Sequence, residues 1–202
     1  MSISIVGIHT GIGKTLCSAI ICEALGYDYW KPVQAGLENT DTEFIRENVS
    51  NPNCIIHIEK YRLHMPASPH YAAALEGIEI KKEDFHLPTT TNNIVVETAG
   101  GLMSPLAKGF LNIDLVEYLK LPVVLVSNNY LGSINHTLLT YAALKVRNIP
   151  IKGIVFIGEP TPATEEFILE HTDLPLLFSI PIFKEINKER IREFAANLTI
   201  QL

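Results

Sequence analysis

Nine residues near the N-terminus, Gly7-Ile8-His9-Thr10-Gly11-Ile12-Gly13-Lys14-Thr15, combine spaced glycines with a cation and a hydroxyl. Gly11 and Gly13 can take positive φ, which turns backbone N–H groups inward and lets the chain come close to a bound anion. An apolar stretch precedes the loop and an amphipathic one follows it, so the loop sits between a strand and a helix N-terminus. There the open N–H groups and the helix dipole favour phosphate. The loop, with Ile12 between its glycines, is thus a candidate cradle for a nucleoside triphosphate such as ATP. Lys14 would reach the β and γ phosphates, and the Thr15 hydroxyl would be a magnesium ligand. The strict pattern would need glycine at Ile8; here the leading glycine is one place earlier, at Gly7. An ordinary glycine-rich turn has no need of the Gly-Lys-Thr ending.

Three further segments, and Asp41 between the first two, are candidates for chemistry. Lys31, in Trp30-Lys31-Pro32-Val33-Gln34-Ala35-Gly36, follows the second apolar stretch. Strand carboxyl ends line the ligand crevice of a doubly wound sheet, so Lys31 would be a second cation beside the loop; by position alone it could equally be solvated. Val95-Val96-Glu97-Thr98-Ala99-Gly100-Gly101 ends an apolar strand in an acid, which can hold magnesium, while Gly100 and Gly101 let the chain turn near the ligand. Asp41, after Asn39 and Thr40, opens a helix and by itself reads as a cap. In Asn129-Tyr130-Leu131-Gly132-Ser133-Ile134-Asn135-His136, Asn135 falls in the first turn of a long helix, where an amide and free backbone donors could hold a carboxylate. His136 alone reads as structural.

The elements that must position these residues follow a βα alternation. Expected strands are 2–6, 27–31, 94–97, 123–127, 151–157 and 176–180, mostly continuous and β-branched, as in a parallel sheet covered on both faces. Expected helices are 14–25, 41–47, 69–75, 113–119, 134–147, 163–171 and 184–196, with apolar residues three and four apart, as at Ile134, Leu138, Leu139, Ala142 and Val146. Residues 50–93 are the least regular, and are expected as loops and short helices over the ligand site. The fold class is therefore α/β: one P-loop NTPase-type domain over residues 1–202, with a mostly parallel central sheet and helices on both faces.

Composition narrows the function. A chain of 202 residues with 47% hydrophobic content suits one well-buried domain. Apolar runs have strand length, so no membrane span is expected. No basic leader precedes Ile3, Ile5 and Val6, which points to the cytoplasm. Cys17, Cys22 and Cys54 have neither disulfide nor zinc spacing and read as reduced core residues. A net charge of -6 makes no case for nucleic acid.

Taken together, these segments resemble the dethiobiotin synthetase family. The resemblance rests on Gly7 to Thr15 with its five-residue gap between Gly7 and Gly13, Lys31-Pro32-Val33 with Gly36, and Val96-Glu97 with Ala99-Gly100-Gly101 and Pro105-Leu106. It extends to Ser68-Pro69-His70, Glu76-Gly77 and Leu131-Gly132-Ser133-Ile134-Asn135-His136, and covers most of the chain through about Gly153. It implies an ATP-dependent cyclo-ligase in which 7,8-diaminopelargonic acid reacts with CO2 to a carbamate, the carbamate takes the γ-phosphoryl group, and the neighbouring amine closes a cyclic urea. It implies Thr15, Asp41 and Glu97 as the Mg2+ set, and Thr10, Lys14 and Lys31 as contacts to carbamate and phosphates. Asn135 would hold the substrate carboxylate, which in this family is reached from the second subunit of a homodimer. The chain departs from the family pattern at Ile8 and His9, at Ala35, where a hydroxyl residue is common, and at Ile157, where the family commonly has an asparagine that recognises adenine. A different P-loop ligase, a partitioning-type ATPase, or a non-catalytic nucleotide-binding protein of the same fold are the other readings; Gly7 to Gly13 lacks the early lysine of the partitioning type.

Overall fold

A computed structural model describes residues 1–202. In chain order the strands are β1 (Ile3–Gly7), β2 (Asp28–Trp30), β3 (Val33–Ala35), β4 (Ile56–His57), β5 (Tyr61–Leu63), β6 (Ile94–Glu97), β7 (Pro105–Ala107), β8 (Phe110–Leu111), β9 (Val123–Asn128), β10 (Ile151–Ile157) and β11 (Leu176–Ile180). The helices are α1 (Lys14–Leu25), α2 (Asp41–Asn48), α3 (Pro69–Glu76), α4 (Asn112–Leu119), α5 (Ser133–Val146), α6 (Pro162–Thr172) and α7 (Lys188–Ala196).

Seven strands form the main sheet in the order β11-β10-β9-β1-β6-β2-β4, and every pairing in it is parallel. The interior strands are continuous apolar runs with almost no exposure, such as Val123 to Val126, because helices cover both faces. From β1 the chain crosses through α1 toward β2, whereas from β9 it crosses through α5 the opposite way, to β10. Right-handed crossovers running in opposite directions put their helices on opposite faces. Accordingly α1, α2 and α7 pack on one another, and α5 packs with α6. The divergence of β1 and β9 opens a crevice beyond the strand ends, where α/β folds hold ligands.

The larger core cluster runs through the sheet from Ile3 and Ile5 to Val155 and takes in Ile20 and Ile21 of α1. A smaller one, with Trp30, Leu63, Phe85 and Leu106, lies under the chain that follows β2. Two two-stranded pieces, β3 with β5 and β7 with β8, sit outside the main sheet.

Two expectations are corrected. Helix α7 begins at Lys188 rather than at position 184, because the Asn187 side chain caps it by accepting from the Arg190 N–H at 3.0 Å. The stretch 50–93 contains β4 and β5 besides α3, and these strands are only 2 and 3 residues long, too short to show a period.

Candidate active site

The loop after β1 is built around Gly13. At φ 94° it caps α1 in the left-handed conformation, and no side chain satisfies the first N–H groups of that helix. A Cβ on Gly13 would stand 2.8 Å from Cδ1 of Ile157, so only glycine fits both the backbone and the space. Lys14 folds over the loop and donates to the His9 carbonyl at 3.2 Å. Burial lowers its pKa to about 8; Glu97 and Asp41 oppose that shift, and the neighbouring Lys31 adds to it.

Behind the loop, Thr15, Asp41, Glu97 and Lys31 meet. Thr15 Oγ1 lies 2.6 Å from Asp41 Oδ1 and 2.8 Å from Glu97 Oε1, so its single proton serves one carboxylate at a time. The Lys31 ammonium pairs with Asp41 and stands 3.4 Å from Glu97 Oε1. Strand register explains the meeting: Trp30 pairs with Val96, which puts the residues that follow, Lys31 and Glu97, side by side at the ends of β2 and β6. Asp41 is free to take part because Thr40 caps α2 instead, in a reciprocal box with Glu43. Burial alone would discharge the pair. Charge outweighs it: Glu97 first, then Asp41, holds Lys31 above its ordinary value, and Lys31, then the Thr15 hydroxyl, holds Asp41 below its own.

Glu97 Oε2 has its own donors, Ser18 Oγ at 2.8 Å and the Tyr29 hydroxyl at 3.0 Å. Burial, then the nearby Glu97 and Asp41 charges, push the Tyr29 pKa well up, so its hydroxyl stays a donor. Neither Ser18 nor Tyr29 belongs to a motif of the sequence, although Ser18 lies one helical turn past Lys14 and Tyr29 two residues before Lys31. The hydroxyl and two carboxylates form a hard oxygen donor set with a cation already against it, a fit for Mg2+.

In front of this cluster lies a cavity of about 420 Å³ between Thr10, Lys31, Asp41, Gly100 and Ser104, closed on one side by the segment from Pro66 to Pro69. The stretch before α3 thus reaches the site. Gly100 has φ 80°, and the Asn112 side chain ties the turn by donating to the Ala99 and Gly101 carbonyls at 2.6 and 2.9 Å. Ala35 lines the same wall without a hydroxyl. A depression of about 430 Å³ beside Lys145, Asn148 and Asp173 lies at the opposite, N-terminal ends of β10 and β11, away from the loop.

Asn135 stands apart. It is exposed in the first turn of α5, outside the cavity. Gly11 and Ile12 line a separate depression with Asn128, Tyr130 and His136, where the Tyr130 hydroxyl meets His136 Nδ1 at 2.6 Å. Exposed His9 turns Nδ1 onto the Thr10 carbonyl, at 2.7 Å. Ile157 is buried against Gly13 and offers no polar atom there.

A family model described as an AAA domain matches residues 1–190. The ATP-dependent dethiobiotin synthetase of Cytophaga hutchinsonii is 47% identical over 195 residues, which cover 96% of this chain and 95% of the relative. That of Brucella ovis is 43% identical over 199 residues, 97% of this chain and 93% of the relative. Among solved structures, a ParA family ATPase from Chlorobium tepidum aligns with a TM-score of 0.59 over 98% of this chain and 99% of that one, at 12% identity. The MinD cell division protein of Aquifex aeolicus aligns at 0.53 over 96% and 86%, with 13% identity. These structural likenesses speak for the P-loop fold alone.

Proposed function

Since the chain belongs to the dethiobiotin synthetase family, we propose that it converts 7,8-diaminopelargonic acid, CO2 and ATP to dethiobiotin, ADP and phosphate, a step of biotin biosynthesis. The observation that carries this reading is the meeting of Lys31, Thr15, Asp41 and Glu97 at the edge of a cavity that also contains Thr10.

The chemistry has three stages. One substrate amine adds to CO2, forming an N–C bond and losing a proton to give a carbamate. A carbamate oxygen then attacks the γ-phosphorus, and the bond to the bridging oxygen of ADP breaks. Finally the second amine attacks the carbamate carbon, the C–O bond to phosphate breaks as the ring closes, and the proton lost from that nitrogen leaves with the phosphate. Negative charge moves among oxygens throughout, so fixed cations and positioning supply most of the help.

Backbone N–H groups of Gly11, Ile12 and Gly13 cradle the phosphates, and Lys14 follows the transferred group. Lys31 holds the attacking carbamate oxygen in line with it, and Thr10 contacts the carbamate from the cavity wall. Thr15, Asp41 and Glu97 would hold Mg2+, which supplies charge neutralisation to the phosphates when bound. Gly100 lets the chain turn without blocking the cavity.

The site is completed by a second copy. Asn135 is exposed on a face of α5 that also exposes Leu139, Ala142 and Val146, with Leu131 fully exposed just before it. A stripe spaced four, three and four residues apart on one helix suits burial against another subunit, which would bring Asn135 to the neighbour's substrate carboxylate. The three free thiols suit the cytoplasm, and no helix is long and apolar enough to cross a membrane.

A reconstituted assay tests the reading: with diaminopelargonate, bicarbonate, ATP and Mg2+, phosphate and dethiobiotin form one for one, and omitting diamine or bicarbonate stops both. Phosphate release without any dethiobiotin would overturn it.

A further inference from the structure

Ser104 is a hydroxyl in the cavity wall with no part in the scheme so far. Its backbone is fixed at both ends, since its N–H donates to the Gly101 carbonyl at 3.0 Å and its own carbonyl accepts from the Asn112 N–H at 3.1 Å. Its side chain is oriented too: Oγ accepts from the Gly101 N–H at 3.1 Å. That bond uses a lone pair and leaves the hydroxyl proton without an acceptor in the chain.

The direction of this hydroxyl is marked by Gly100. A Cβ on Gly100 would stand 2.9 Å from Ser104 Oγ and 3.2 Å from Thr10 Oγ1. Two hydroxyls therefore approach one spot that a glycine keeps open, in the wall of the cavity that Lys31 also lines. Thr10 Oγ1 likewise has no partner within the chain, and Ala35 brings no third hydroxyl.

We infer that Ser104, together with Thr10, forms the oxyanion site of the ring closure, donating to the carbamate oxygen that is not phosphorylated. The inference rests on the carboxylation reading above. In the phosphorylation stage the carbamate reacts through one oxygen and keeps the other. When the second amine attacks, its lone pair forms the N–C bond and the C=O π pair moves onto that remaining oxygen; the pair returns as the C–O bond to phosphate breaks, and the amine's proton leaves with the phosphate. A donor already fixed at that oxygen gains strength as the charge grows, which is the condition for lowering the barrier rather than only binding substrate. Lys31 is assigned to the attacking oxygen, so the hydroxyls of Ser104 and Thr10 in the same wall are the side-chain donors left for this one.

The test compares S104A and S104T with the wild-type enzyme in steady-state dethiobiotin synthesis, recording thermal stability and the ratio of phosphate to dethiobiotin. S104A is expected to lower kcat at least about tenfold with the KM for ATP within about twofold, as loss of a transition-state donor does. Phosphate should exceed dethiobiotin as the stranded anhydride is lost to water, and S104T, which keeps the hydroxyl, should restore rate and ratio. An S104A enzyme within threefold of wild type overturns the inference. So does a loss that S104T fails to restore and that comes with a raised ATP KM and lowered stability, because that pattern marks a turn-holding role through Gly101. A wild-type enzyme that makes no dethiobiotin would instead remove the reading on which the inference stands.

Discussion

The Tyr29 hydroxyl donates to Glu97 Oε2 at 3.0 Å from a ring with no exposed surface. With Ser18 on the same oxygen, it leaves Glu97 Oε1 facing Thr15 and Lys31. Tyr29→Phe keeps the ring and deletes one donor, leaving a buried carboxylate short of a hydrogen bond at a cost of about 1–3 kcal/mol. Thermal unfolding should move down accordingly, and kcat should fall by about tenfold as Glu97 loses its fixed orientation. Unchanged kcat and unfolding temperature would show that Tyr29 does not position the acid.

Lys14 predicts a pH dependence with a definite sign. Its pKa in the free protein is lowered to about 8, chiefly by burial, so the ammonium is present below pH 8 and lost as pH rises through it. A bound triphosphate restores the charge, and above pH 8 binding must therefore take up a proton. Affinity should weaken by up to about tenfold per pH unit above 8. Calorimetric titration with a non-hydrolysable ATP analogue, in buffers of different ionisation heat, should show about one more proton taken up at pH 9 than at pH 7, and Lys14→Met should abolish the difference. The same shift acts on stability. The folded pKa lies below the ordinary 10.5, so the buried ammonium penalises the fold below pH 8, and the penalty is relieved between 8 and 10.5.

The placement of Asn135 predicts complementation between subunits. Lys14→Ala and Asn135→Ala should each be poorly active alone at low diamine concentration. Mixed and allowed to exchange subunits, they should form heterodimers of the proposed kind with one intact site, and activity should rise to about a quarter of wild type. No recovery in demonstrably exchanged dimers would place Asn135 outside the neighbour's site.

Residues 1–202 are proposed to be a single folding unit, although the core has two clusters. Trp30, the one tryptophan, belongs to the smaller cluster and reports on it, whereas far-ultraviolet circular dichroism reports mainly on the helices. Both signals should trace the same urea transition if the clusters unfold together. Two separated midpoints would divide the chain.

The parts of this site legible in the sequence are those with local causes. The glycine spacing and the Gly-Lys-Thr ending mark the P-loop because backbone conformation and helix polarity act over a few residues. Thr40 and Glu43 already carry the capping-box spacing that frees Asp41 from a purely structural role, although Asp41 beside them reads as the cap. The donors to Glu97 are not legible, since Ser18 and Tyr29 reach it across 79 and 68 residues, Tyr29 through the pairing of β2 with β6 and Ser18 through the packing of α1 on β6. Short strands such as β4 and β8 escape because pairing, not periodicity, creates them. At α7, the apolar Ile182, Phe183 and Ile186 mimic helical spacing, yet the Asn187 cap fixes the start.

The most direct test of the proposed chemistry follows an oxygen atom. Single-turnover reactions begun with 18O-labelled CO2 in unlabelled water, with diamine and ATP, should place one carbamate-derived oxygen in the released phosphate, because that oxygen attacks the γ-phosphorus and leaves with it. Dethiobiotin formed alongside phosphate that carries no label would contradict phosphorylation of a carbamate in this site.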